Sequence, residues 1–137
     1  MALTILISYA QPIGLLPVAD LQIRDDDRSL VISLTSTKDK IFSLTTKIEI
    51  PLSKIVNVST EPVKIDEWRT LKVFAARWPS YFAGRFYVVG KGKKFFLFGN
   101  RNRCITLKLG DFKYKQIIIE VADKEAMATM IKSRLGR

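Results

Sequence analysis

The chain has 137 residues, 47% of them hydrophobic, and its 23 Lys and Arg against 13 Asp and Glu leave a net charge of +10. That is an ordinary size for one globular domain, long enough to bury a core without staples. With Cys104 the single cysteine and no histidine at all, the composition excludes an intrachain disulfide, a Cys/His zinc site and any Ser-His or Cys-His nucleophile.

Taken in chain order, residues 1–19 carry no charge. They lack the basic start of a signal peptide. The unbroken apolar run Leu3–Ala10 is far shorter than the ~20 residues of a spanning helix. We read Leu3–Tyr9 as a strand and the rest as a Pro-rich loop, with a hydrophobic membrane tether as the alternative. Asp20–Arg24 and Ser29–Thr35 flank the polar stretch 25–28 and predict a hairpin. Leu30, Ile32 and Leu34 then share one face. A second turn falls at 36–39, followed by strand pieces at Ile41–Leu44 and Lys47–Ile50. Pro51 has no N–H for a ladder, so pairing is expected to break there and resume over Ile55–Ser59.

Glu61–Ala83 is the least regular stretch, with short strand or helix pieces. Asp66–Ala76 is a helix candidate with poor apolar spacing. Trp78, Tyr81 and Phe82 cluster around Pro79. Such a cluster is more often a core lid, with an interaction loop as the alternative.

The second half reads as a four-strand antiparallel meander over 84–121. Its strands are Gly84–Val89, Lys94–Phe98, Arg103–Leu109 and Tyr114–Val121. Ile105, Leu107 and Leu109 fall on one face, Cys104, Thr106 and Lys108 on the other. The chain ends in a helix over 123–135, with Asp123 as its N-cap and Met127, Met130, Ile131 and Leu135 as an apolar stripe. The fold class is therefore mainly β with one C-terminal α-helix, in a single domain over 1–137. Two antiparallel sheets, partly closed, would need that helix as a plug.

Two strings carry a family resemblance. Residues Ile48–Val58 (IEIPLSKIVNV) resemble the strand–turn–strand of bacterial PH-like domains, with its Ile-x-Leu-x-x-Ile-x-x-Val pattern. Residues Pro79–Phe86 (PSYFAGRF) resemble the entry to the second sheet in the PH-like group that includes sublancin immunity proteins. The order downstream is similar, and the likeness spans roughly residues 20–135. It implies a PH-like split barrel of two antiparallel sheets, capped by the terminal helix, in a bacterial module that binds and does no chemistry. It also implies an immunity-type or other protein-interaction role as an alternative to membrane binding.

No P-loop, GxGxxG or EF-hand spacing occurs. We expect no enzyme activity, no cofactor and no metal.

The charge is unevenly spread. Residues 1–60 balance six basic against six acidic side chains, whereas residues 61–137 carry 17 basic and 7 acidic. In a meander the turns at 90–93 and 110–113 lie at one end. That end collects Lys91, Lys93, Lys94, Lys108, Lys113 and Lys115 as candidate contacts for an anionic ligand. Arg101, Arg103 and Arg85 are expected at the opposite end. Solvated turn lysines are the plainer reading. Acidic lipid headgroups rank first as partner, a protein or peptide second, and nucleic acid last, because no nucleic-acid-binding signature appears. The expected location is cytoplasmic, peripheral to the inner face of the membrane.

Overall fold

The computed structural model describes residues 4–7, 19–24, 28–34, 47–65, 69–77 and 81–135. Among these residues ten strands form two sheets, and a helix follows the last strand. The first sheet has the order β1 (Thr4–Ile7), β2 (Ala19–Arg24), β3 (Ser29–Leu34) and β4 (Lys47–Pro51), all antiparallel. The N-terminal run is thus a strand over Thr4–Ile7, hydrogen-bonded to β2 from Thr4↔Arg24 to Ile7↔Leu21. No helix among the described residues is long and apolar enough to cross a membrane.

In β4 the sequence alternates, so Ile48 and Ile50 are buried while Lys47 and Glu49 are exposed. Pro51 ends that strand, a 3-10 turn covers Leu52–Lys54, and β5 (Ile55–Ser59) begins in the other sheet. The expected break at Pro51 is the point where the chain changes sheets. The predicted turn at 36–39 and strand at 41–44 lie outside the described residues, as does Trp78.

The second sheet adds β6 (Thr70–Arg77), β7 (Phe82–Val88), β8 (Gly92–Phe98), β9 (Cys104–Leu109) and β10 (Gln116–Glu120). Their order is β5-β9-β10-β8-β7-β6. Two expectations are corrected here. The helix candidate at 66–76 is instead an edge strand from Thr70, paired with β7 and bulged between Lys72 and Phe74. Cross-strand pairing wins where apolar residues are not spaced for a helix. The meander is also not consecutive: β10 lies between β9 and β8, antiparallel to β9 and parallel to β8. Residues 99–103 therefore carry the chain across one strand position, which β10 later fills.

The core lies between the sheets. Leu21, Ile23, Leu30, Ile32, Ile48 and Ile50 from the first sheet meet Phe95, Leu97, Ile105, Leu107, Ile117 and Ile119 from the second. The helix α1 (Lys124–Leu135) adds Met127, Ala128 and Ile131, with Met130 and Leu135 at its margin. Asp123 caps it as expected, its Oδ1 accepting from the Ala126 N–H at 3.0 Å.

A second apolar cluster sits on the outer face of the six-stranded sheet. Phe82, Phe86, Phe96 and Phe98 are each at most 1% exposed. Phe82 stacks on Phe98 at 5.0 Å, and Phe86 stacks on Phe96 at 4.9 Å. Val63 packs on this cluster, and its N–H donates to the Arg101 carbonyl at 3.1 Å. The segment after β5 therefore folds back over the sheet.

Candidate functional site

Strand register decides where each basic residue goes. Although β8 and β10 are not meander neighbours, both start at the same end of the sheet, because they run parallel. The turn before β8 and the turn before β10 therefore meet. The Lys115 N–H donates to the Lys93 carbonyl at 2.8 Å, and the Gly110 N–H donates to the Lys54 carbonyl at 2.9 Å. Asp111, in a left-handed conformation at φ 54°, receives the Lys54 ammonium at 2.8 Å. The hydrogen bond from Lys54 and its charge hold the Asp111 carboxyl below the usual carboxylate range.

Alternation then divides the six lysines between the two faces. Lys93 and Lys94 are consecutive on β8, so they point to opposite sides. Lys91, Lys94 and Lys108 line a pocket of about 380 Å³ on the outer face. On the other side Lys93, Lys113 and Arg85 surround Tyr114, and Lys115 lies over Gly92. Arg85 thus corrects an expectation: it pairs with Phe95 in mid-strand, two residues past Lys93, and joins the lysines instead of facing them from the far end. Burial pushes the Tyr114 phenol up, and the neighbouring Arg85 guanidinium opposes that shift. Lys113 stands 5.5 Å from the Tyr114 ring centre.

Two exposed apolar side chains, Leu71 and Tyr87 at 53% and 41%, stand on this second side, and Val89 in the adjoining turn is 49% exposed. Register lines up Leu71 with Tyr87 and Tyr87 with Lys93, so Leu71, Tyr87 and Lys93 form one row across β6, β7 and β8. Val89 follows in the turn that leads to Lys91.

Of the aromatic cluster, Tyr81 and Phe82 lie among the described residues. Phe82 is 1% exposed within the outer-face cluster, with the Arg101 guanidinium 5.6 Å above its ring. Tyr81 is half-buried against the main core. Both are packed against apolar clusters.

At the opposite end of the sheet, the Glu120 carboxylate is 2% exposed and accepts from the Gly99 and Asn100 N–H groups, both at 2.7 Å. It holds the crossing loop over the sheet. Beside it, Cys104 is buried and donates to the Asn100 carbonyl at 3.3 Å. Burial first, and then the Glu120 charge, push the Cys104 thiol up to about 12. An inert, protonated thiol is a packing residue.

Nothing local in the sequence marks Asn57, Ser59 and Gln116 as joining Thr106 and Lys108 in the outer pocket, and nothing local marks the exposed row at Leu71 and Tyr87. Each depends on which strands are neighbours, and no single segment encodes that.

The family model described as bacterial PH domain matches residues 30–135. That match is coarser than the likeness to the sublancin-immunity group. No curated protein and no solved structure matches the chain.

Proposed function

The chain belongs to the bacterial PH domain family, and from that premise we propose that it is a non-enzymatic binding module that docks on an anionic membrane surface. The row Leu71–Tyr87–Lys93 carries this reading, because it puts exposed apolar groups beside cations at one end of the sheet. Aromatic and aliphatic side chains partition into the headgroup boundary while neighbouring lysines stay with the phosphates.

The magnitudes are sufficient. Each basic residue near an acidic bilayer contributes about 1 kcal/mol. Arg85, Lys93, Lys113 and Lys115 together therefore reach only millimolar affinity, since ~4 kcal/mol corresponds to ~1 mM. Half-exposed Leu, Tyr and Val side chains add roughly 1 kcal/mol each on burial. Cations and apolar row together approach a Kd on the order of 10 µM. The inner leaflet, with its negative surface potential, is the matching surface.

Vesicle flotation tests this. Vesicles containing phosphatidylglycerol should retain the protein at low salt and release it at high salt, while phosphatidylcholine vesicles should not retain it. Tyr87→Ser together with Leu71→Ser, and separately Lys93→Gln with Lys113→Gln, should each reduce retention. Equal retention on neutral vesicles, or no effect of either pair, would refute the reading.

A further inference from the structure

The outer-face pocket stands on the other side of the sheet from the apolar row, and its lining has a different chemistry. Register builds it. Gln116 on β10 pairs with Lys108 on β9 and with Lys94 on β8. Asn57 on β5 pairs with Lys108 from the far side. Asn57, Lys108, Gln116 and Lys94 therefore form one polar row across four neighbouring strands. One step along, Ser59 pairs with Thr106, and both also line the pocket. The segment 61–64 borders it, anchored through Val63. The space of about 380 Å³ is within the range of small-ligand sites.

Its charges are not neutralised from within. Lys94 and Lys108 start two strand spacings apart, roughly 10 Å. A phosphate oxygen cluster between their flexible side chains can reach both. Lys91 approaches Lys94 from the turn. Glu61 is the single carboxylate among the lining residues, and no described carboxylate forms an ion pair with Lys91, Lys94 or Lys108. Burial, and then the Lys91 charge, hold Lys94 below the ordinary lysine value. The charge of a bound anion would oppose both effects by favouring the ammonium form.

We infer that this pocket binds a phosphomonoester, with Lys91, Lys94 and Lys108 around the phosphate and Gln116, Asn57 and Thr106 donating to its oxygens or to the attached polar group. Ammonium groups make strong charge-assisted bonds to phosphate, and the neutral amides and hydroxyl add directional ones. The polar floor disfavours an apolar ligand. The phosphate has two sources of the same chemistry, a soluble ester and a phosphorylated lipid headgroup. The pocket faces away from the apolar row, which favours the soluble one.

The experiment titrates the full chain with inorganic phosphate and with glycerol 3-phosphate, followed by amide chemical shifts at constant ionic strength, with chloride as the control. Saturable shifts at Lys94, Lys108 and Gln116 are expected with either probe. Lys94→Gln and Lys108→Gln should each weaken binding roughly tenfold, whereas Lys93→Gln, on the opposite face, should not. Thermal melts of the variants check that they remain folded. A second arm measures retention on vesicles bearing phosphatidic acid. Saturable soluble binding supports the soluble source. Vesicle retention lost in Lys94→Gln and Lys108→Gln, without soluble binding, supports the headgroup source. No saturable shift and no effect of these two substitutions on vesicles would overturn the proposal. The membrane reading stands or falls separately, on Leu71 and Tyr87.

Discussion

Replacing Glu120 with alanine would strip two backbone donors of their shared acceptor. In the native fold one carboxylate oxygen takes both the Gly99 and the Asn100 N–H at 2.7 Å. A buried donor left unpaired costs about 1–3 kcal/mol, and bonds to a charged group lie at the upper end. Asn100 is exposed and Gly99 half-buried, so water can recover part of the loss at Asn100. We expect Glu120→Ala to cost about 2–4 kcal/mol by that range. Glu120→Gln keeps an acceptor oxygen in place and loses only the charge assistance, so about 1 kcal/mol is expected. Urea unfolding followed by tryptophan fluorescence gives both numbers, provided the slope is unchanged. An alanine variant within ~0.5 kcal/mol of the native chain, the scatter of neutral surface changes, would refute this role of Glu120. A glutamine variant as damaging as alanine would refute it equally, because the charge and not the acceptor would then matter.

Cys104 should resist alkylation by iodoacetamide in the folded protein and react fully in urea, as read by mass spectrometry. Its raised thiol value means that the stability it contributes is complete below the ordinary 9.0 and is lost as pH rises toward about 12, and Cys104→Ala should flatten that alkaline decline. Gly92 has φ +97°, and a Cβ there would lie 3.0 Å from Lys115 Cγ, whereas Gly90, at φ +81°, faces open space. Gly90→Ala should therefore cost only the left-handed penalty of about 1–2 kcal/mol, and Gly92→Ala more, in the same urea assay. Phe96→Ala should cost about 3–5 kcal/mol and Phe96→Leu much less, because Phe96 is 1% exposed against Phe86, Phe82 and Phe98. Equal losses for the two would argue against a packed aromatic cluster.

Much of the fold is legible segment by segment. The β2–β3 hairpin, the break at Pro51, the two faces of β9 and the capped helix all follow from local chemistry, namely alternation, a missing N–H and a carboxylate at N-cap. What is not local is harder to read. The sequence Ile117-Ile118-Ile119 is buried on both faces, as a central strand should be. That run points to an interior position without saying between which strands. Consecutive strands usually pair, so β9 is expected beside β8, and only the tertiary fold reveals β10 between them. The lysine end survives this error, because a strand parallel to β8 starts where β8 starts. Its division into two surfaces does not follow from counting lysines. It follows from Lys93 and Lys94 having opposite directions on one strand. The edge strand β6 is hidden for a related reason: its exposed Leu71 breaks the pattern of a half-buried segment.

The late insertion of β10 also governs how the molecule can be made and cut. During synthesis, β6, β7 and β8 can pair as soon as they emerge, and β9 can find β5, but the two groups have nothing between them until residues 116–120 arrive. The six-stranded sheet is then closed from its middle outward. A truncation before Gln116 would consequently leave two separate ribbons, each with an open edge that invites self-association. For this chain a deletion that reaches β10 is not a trim but a division of the sheet.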